Sequence, residues 1–299
     1  MKTKAATTLL YGQPLVDALL PQAKIIANGL PQQPHVAIVL VGNDAPSHMY
    51  VQRKAAMAAQ AGCKATIHAL PSHTTQEQLH ALLDTLNADS HTHGVMIQLP
   101  LPHGLNRQLA LAHVAGHKDV DGLSPVQRAK LERQADDALL PATPLGVLRL
   151  LAMAGVELEG AHITILGTSA LVGGPLADLL RQQGALVTSC NQQTADNQAK
   201  AAKANILITA TGQAGLVTKS WVKQGAVVVD VGITRLPDGR IVGDVDATSA
   251  EGSVLGKARL LTPVPKGVGP CTVVSLITNL IDATCLQHGV ARPVWRMLI

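Results

Sequence analysis

Ile163-Thr164-Ile165-Leu166-Gly167-Thr168-Ser169-Ala170-Leu171-Val172-Gly173-Gly174-Pro175 is the stretch that decides the fold. A short β-branched apolar run stops at a glycine, small residues and two more glycines follow, and a proline opens the next segment. This reads as a buried strand, a Gly-rich turn and a helix. Glycines in such a turn let backbone N–H groups approach a pyrophosphate, and the helix N-terminus adds partial positive charge. The spacing is not a strict G-x-G-x-x-G, so a tight strand-to-helix connection without a ligand stays open as an alternative.

Downstream, the pattern predicts a helix at Pro175–Gln183 and strands at Ala185–Ser189, Ile206–Ala210 and Ala226–Val231, a nucleotide-binding βαβ succession. NAD enzymes usually place a carboxylate at the end of the second strand to bond the ribose 2′-hydroxyl. Here that place holds Cys190, Asn191, Gln192, Gln193 and Thr194. With no acid to repel a 2′-phosphate, NADP is favoured; with no arginine to attract one, NAD stays possible.

Upstream, Val36–Val41 reads as a buried strand running through Gly42–Pro46 into a helix from about Ser47. A helix over Leu79–Leu86 and an apolar strand over Gly94–Leu99 repeat the alternation, which predicts an α/β chain with a mostly parallel sheet covered on both faces. After Gly122 the chain is polar to Ala138, and Pro141 and Pro144 bracket the start of a helix to about Ala154. The expected domains are therefore 1–140 and 141–271, with a helical tail over 272–299 returning to the first.

Composition excludes several classes. At 47% hydrophobic and 15% charged residues the chain has material for a core and too little charge for disorder. The net charge of +4 is spread without any basic run, which argues against nucleic-acid or membrane partners and suits an anionic small substrate. Cys63, Cys190, Cys271 and Cys285 form no C-x-x-C pair, against a zinc site or disulfide framework and in favour of reduced cytoplasmic thiols. Gly12, Gln13, Pro14 and Asp17 interrupt any signal-like N-terminal segment, and no 18-residue apolar run is evident. His91 and His93 lack a third ligand at metal spacing and read as a polar loop, so no metal is expected.

Tyr50 and Lys54 stand four residues apart on the helix after Gly42 and so share a face. Alone, this pair reads equally well as a packed tyrosine beside a solvated lysine. Gln98 and Asp121 each sit where a strand meets a loop, in Gln98-Leu99-Pro100-Leu101-Pro102 and Lys118-Asp119-Val120-Asp121-Gly122. Carboxyl ends of strands form the binding crevice in open α/β sheets, although ordinary turn-forming roles fit both residues as well.

Taken together, these segments resemble the bifunctional methylenetetrahydrofolate dehydrogenase/cyclohydrolase family. The matches are Ser47, Tyr50 and Lys54, then Gln98 to Pro102, Lys118 to Gly122, Asp230-Val231-Gly232-Ile233, Gly243-Asp244-Val245, Thr262-Pro263-Val264-Pro265 and Gly267-Val268-Gly269-Pro270, in collinear order over nearly the whole chain. The resemblance implies a catalytic domain and a Rossmann-type NADP domain with a cleft between them, paired as a homodimer through the latter. It also implies a catalytic set of Lys54, Gln98, Tyr50 and Asp121. Tyr50 would stack on the folate, Asp121 would hold the polar edge of the pterin, and Gln98 would hydrogen-bond Lys54. Folate would further contact Ser47, Leu99, Pro265, Gly267, Val268 and Gly269. The dinucleotide would contact Gly167, Thr168, Ser169, Val172, Gly173, Asn191, Thr211, Gly212, Ile233 and Thr272.

The chain departs from the commoner family pattern at Ala142, Thr168, Asn191-Gln192, Thr234 and Lys266, all on the cofactor side or the cleft rim. Three other readings stay open at this point. They are a dehydrogenase without hydrolysis, a shikimate-dehydrogenase-like oxidoreductase, and a nucleotide-binding sensor that no longer turns over.

Overall fold

The computed structural model describes residues 6–295. The chain opens with a two-residue strand, β1 (Thr8–Leu9), and a helix, α1 (Gln13–Asn28). It divides into two compact units, one formed by residues 17–142 with the tail from 273, the other by the N-terminal residues to 16 with 143–272.

The first unit is built on β2 (His35–Val41), α2 (Ala45–Gln60), β3 (Lys64–Leu70), α3 (Gln76–Ala88), β4 (Gly94–Ile97), α4 (Arg107–His113) and α5 (Pro125–Glu132). Its three strands are parallel in the order β3-β2-β4, with Val36 opposite Gly94 and His35 opposite Lys64. All seven residues of β2 are buried, as a central strand covered on both faces requires. Each buried Val, Leu or Ile there contributes about 1.5–3 kcal/mol, so the apolar run decides the position of this strand.

Caps fix the helix starts. Asp44 accepts from Ser47 N at 2.9 Å and Ser47 Oγ at 2.7 Å, and Thr75 with Gln78 forms a reciprocal capping box. The stretch after Gly122, expected as polar, contains α5, capped by Ser124 with Pro125 in its first turn.

After α6 (Ala142–Met153), the second unit continues through β5 (His162–Leu166), α7 (Gly173–Gln182), β6 (Leu186–Cys190), α8 (Asn197–Ala201), β7 (Ile206–Thr209), β8 (Val227–Asp230), a hairpin of β9 (Thr234–Arg235) and β10 (Ile241–Val242), and β11 (Leu260–Leu261). Six strands pair in parallel in the order β1-β11-β8-β7-β5-β6. The N-terminal residues expected within 1–140 group with this unit, because Thr8 and Leu9 pair with Leu260 and Leu261. Two-residue strands carry no readable periodicity, which is why this pairing was not expected.

Helix α9 (Val268–Gln287) is, among the described residues, long and apolar enough to cross a membrane by length and composition, which the sequence reading had not expected of any segment. It is a core helix instead. Its apolar window is 83% buried, and it carries buried Ser275, Thr278, Asn279, Asp282 and Thr284. Within the first unit, Asn279 Nδ2 donates to the carbonyls of Val120 at 2.9 Å and Leu140 at 2.8 Å, so the tail does return to this unit.

His93 does lie in the loop before β4, but it is buried there, 1% exposed. Its Nδ1 accepts from His35 N at 3.2 Å, and its Nε2 lies 3.2 Å from Nε2 of His288. Burial, then the neighbouring charges of His288, His35, Lys118 and His91, push its pKa down from 6.5 to about 4. Between those values the unfolded chain binds the proton and the folded chain does not, so the contribution of His93 to stability rises with pH across that window, against the opposite contribution of carboxyls raised by burial. In urea midpoints measured from pH 4 to 6.5, the slope against pH is therefore expected to be more positive in wild type than in His93→Gln. An unchanged slope in the variant would contradict this reading of His93.

Candidate active site

The sequence predicts a shared face for Tyr50 and Lys54, and α2 supplies it. Ser47, Val51, Lys54 and Ala58 form the buried stripe of this helix, so Lys54 points into the unit and is only 7% exposed. Tyr50, one turn earlier, is half-buried. Burial raises its phenol pKa above 10, against a smaller lowering by Arg53.

Gln98 follows β4 directly and extends its ladder, its N–H donating to Val39 O at 2.8 Å. Its side-chain amide is oriented from both ends. Nε2 donates to Leu99 O at 2.6 Å, which leaves Oε1 to accept from Lys54 Nζ at 3.1 Å. That assignment follows from the network, since a carbonyl acceptor demands the NH2 group on its side.

The loop carrying Asp121 is held from three directions. Lys118 is buried and donates to Leu86 O at 3.0 Å and Asp89 O at 2.7 Å, at the carboxyl end of α3. Asp119 bridges to Val95 of β4, and its carboxylate accepts from Gly122 N at 3.0 Å and Ser124 N at 2.6 Å. Burial pushes Asp119 up to about 6 despite these donors.

Asp121 is thereby placed close enough to Lys54 for each to influence the other's charge. Burial lowers the Lys54 pKa, against a raising effect of Asp121, and burial raises the Asp121 pKa, against a lowering effect of Lys54. Desolvation outweighs mutual attraction for both groups, so the environment favours an uncharged amine and an uncharged acid.

The structure thus brings Lys54, Gln98 and Asp121 together in the first unit, with Tyr50, Ser47 and Leu99 on the same two elements. Pro265, Gly267, Val268 and Gly269 belong to the second unit, at the start of α9. Beside them Lys266 has φ of +88°, a left-handed conformation usually left to glycine, with its carbonyl accepting from Gly12 N at 2.9 Å.

In the second unit, Gly167 ends β5 with φ of +105°, and a Cβ on it would lie 2.3 Å from Ala210 O. A Cβ on Gly173 would lie 1.9 Å from Gly167 O. Only glycine lets the turn close this tightly. The turn exposes Thr168, Ser169 and Ala170, and α7 has no side-chain cap at Val172, whose own N–H is taken by Ser169 Oγ at 3.2 Å. A helix start without a side-chain cap behind a glycine turn carries the partial positive charge that favours an anion.

Asn191 Oδ1 accepts from Gln193 N at 2.9 Å and Thr194 Oγ1 at 3.1 Å, closing a local turn at the end of β6. Thr211 and Gly212 follow β7, Ile233 is exposed after β8, and Thr272 Oγ1 donates to Thr143 Oγ1 at 3.1 Å. An open depression lined by Gly155, Glu157, Asn205, Lys223 and Arg259 lies at the amino ends of β5, β7 and β8 and contains none of these residues. Sequence reasoning assigned no role to Asp230 and Asp244, which are buried beside the Thr211 and Gly232 loops; both stood in quoted motifs, but their partners are remote in sequence.

Comparison with known proteins covers both units. Residues 11–121 match the model of the tetrahydrofolate dehydrogenase/cyclohydrolase catalytic domain, and residues 141–288 match that family's NAD(P)-binding domain. A protein of Oceanobacillus iheyensis named bifunctional protein FolD is 38% identical over 288 residues, 95% of this chain and 99% of the relative. The crystal structure of the bifunctional dehydrogenase/cyclohydrolase FolD of Campylobacter jejuni superposes with a TM-score of 0.88 at 38% identity, covering 93% of this chain and 99% of the other. The Trypanosoma brucei enzyme, complexed with NADP cofactor and an inhibitor, gives a TM-score of 0.87 at 32% identity, covering 94% and 98%. Both domain models match in order, and the similarity runs through both units and almost the full length of the relatives. This chain therefore belongs to the tetrahydrofolate dehydrogenase/cyclohydrolase family.

Proposed function

We propose that this chain oxidises 5,10-methylenetetrahydrofolate with NADP and hydrolyses the resulting methenyl compound to 10-formyltetrahydrofolate, with Lys54 as the proton-handling group of the second step. The observation that carries this reading is the buried Lys54 amine held by Gln98 Oε1 at 3.1 Å beside Asp121.

Bound NADP supplies the hydride acceptor. Loss of hydride from the methylene carbon leaves a cation delocalised over two substrate nitrogens, a step that needs orientation more than a base. Stacking on Tyr50 and hydrogen bonds to Asp121 give that orientation, with Ser47 and Leu99 beside them. Water then attacks the cation. Lys54, kept towards its neutral form by burial, takes the proton that water must lose, while Gln98 fixes the direction of its lone pair; the carbon–N5 bond of the adduct then breaks, the hydroxyl proton passes to N5, and the formyl group stays on N10.

Gly167, Thr168, Ser169, Val172 and Gly173 are assigned to the pyrophosphate, Asn191 to the 2′-phosphate side, and Thr211, Gly212, Ile233 and Thr272 to the remainder of the dinucleotide. The chain is assigned to the cytoplasm, consistent with four buried free cysteines, and to a homodimer, which sedimentation equilibrium would check.

A spectrophotometric assay with methylenetetrahydrofolate, run with NADP and NAD in parallel, tests the dehydrogenase reading. Reduction of NADP is expected to be the faster, because no carboxylate in residues 190–194 repels its 2′-phosphate. Equal rates would contradict the preference, and no reduction of either would sink the activity.

A further inference from the structure

Two carboxylates are buried at the carboxyl edge of the six-stranded sheet, Asp230 at 3% and Asp244 at 0% exposure. Asp230 ends β8, and its oxygens accept three backbone N–H groups, from Gly232 at 3.0 Å, Asp244 at 3.1 Å and Val245 at 2.9 Å. Its own N–H donates to Thr262 Oγ1 at 2.7 Å. Asp230 thus ties the loop after β8 to the segment after β10.

Asp244 extends the tie to the loop after β7. Its Oδ2 accepts from Thr209 Oγ1 and from Thr211 N, the latter at 2.6 Å. Its Oδ1 is buried with no hydrogen-bond partner among the described residues, and a Cβ on Gly232 would lie 2.1 Å from it. A buried carboxylate oxygen without a donor is costly, so folding stability alone does not account for an aspartate here. What the carboxylate does hold is the backbone at Ala210–Thr211, the segment against which Gly167 closes the phosphate turn.

We propose that Asp244 is a positioning residue for the dehydrogenase step, setting the Thr211–Gly212 and Gly232–Ile233 loops so that the dinucleotide meets a preformed surface. This rests on the assignment of those loops to the cofactor given above. Burial, reinforced by Asp244, pushes Asp230 up to about 7, which shows how tightly the two carboxylates are enclosed.

The test compares wild type with Asp244→Asn, Asp244→Ala and Thr209→Val, the last removing only one donor should the alanine variant fail to fold. NADPH affinity by fluorescence and KM and kcat for NADP are measured, with hydrolysis of methenyltetrahydrofolate, which consumes no dinucleotide, as the internal standard. Losing charged hydrogen bonds that fix the loop should raise KM for NADP and weaken NADPH binding about tenfold to a hundredfold in Asp244→Ala. Thr209→Val should show a smaller effect. Asp244→Asn, which keeps an acceptor for Thr209 and Thr211, should recover most of the affinity. The hydrolytic rate should hold in all folded variants. Folded variants with unchanged KM for NADP and unchanged NADPH binding would overturn the proposal, as would a parallel loss of both activities in proportion to unfolded protein. Failure of wild type to bind NADPH would overturn the underlying cofactor assignment, and a wild type that binds NADPH separates that failure from this one.

Discussion

Lys54→Met is expected to lower hydrolysis of methenyltetrahydrofolate by about a hundredfold to ten-thousandfold, the range that a positioned general base contributes, while NADPH binding stays within about threefold of wild type. Methionine is unbranched like lysine, one atom shorter, and suits a buried position, so the variant should fold. What it removes is the nitrogen that Gln98 orients at 3.1 Å. Orientation of the folate by Tyr50 and Asp121 survives, so NADP-dependent oxidation should fall far less than hydrolysis. A Lys54→Met enzyme that hydrolysed at the wild-type rate would remove Lys54 from the mechanism.

Gly173→Ala is expected to produce the reciprocal loss. The added Cβ would lie 1.9 Å from Gly167 O, a backbone atom that cannot move without reopening the turn. Displacing that turn re-aims the N-terminus of α7, so NADPH affinity and dehydrogenase rate should drop by about a hundredfold or more, equivalent to roughly 3 kcal/mol of lost phosphate contacts. Hydrolysis, whose proton-handling group Lys54 lies in the other unit, should remain near wild type. Calorimetry with NADP and an assay of methenyl hydrolysis on the same preparation check both halves. Unchanged NADP affinity would contradict the placement of the pyrophosphate on this turn.

Most of the strands that sequence alone made legible are buried along their length. β2, β4, β7 and β8 are buried throughout and read as largely apolar runs. β3 was hidden because it is an incompletely buried edge strand with Lys64, Thr66 and His68 among its residues. β1 and β11 are two-residue strands that find each other only in three dimensions.

Lys54 shows how a site can be half visible. Its spacing from Tyr50 was plain, and its burial was foreshadowed by its place in the stripe of Ser47, Val51 and Ala58, a pattern normally reserved for apolar residues. A lysine in such a stripe signals function more strongly than one four residues from a tyrosine. Asp244 lay beyond sequence reasoning, because its role depends on Thr209 and Thr211, more than thirty residues away and on another strand. The burial of His93 was hidden for the same reason, since its neighbour His288 stands at the far end of the chain.

The central claim is that a buried lysine, its pKa lowered from the ordinary lysine value by burial, drives hydrolysis. Its most direct test is the pH–rate profile for hydrolysis of methenyltetrahydrofolate supplied as substrate, corrected for the uncatalysed rate. The account predicts an enzymatic rate that rises with pH through an ionisation below 10.5, with that limb missing in Lys54→Met. An enzymatic rate with no such limb, or a limb that persists undiminished in the variant, would contradict it.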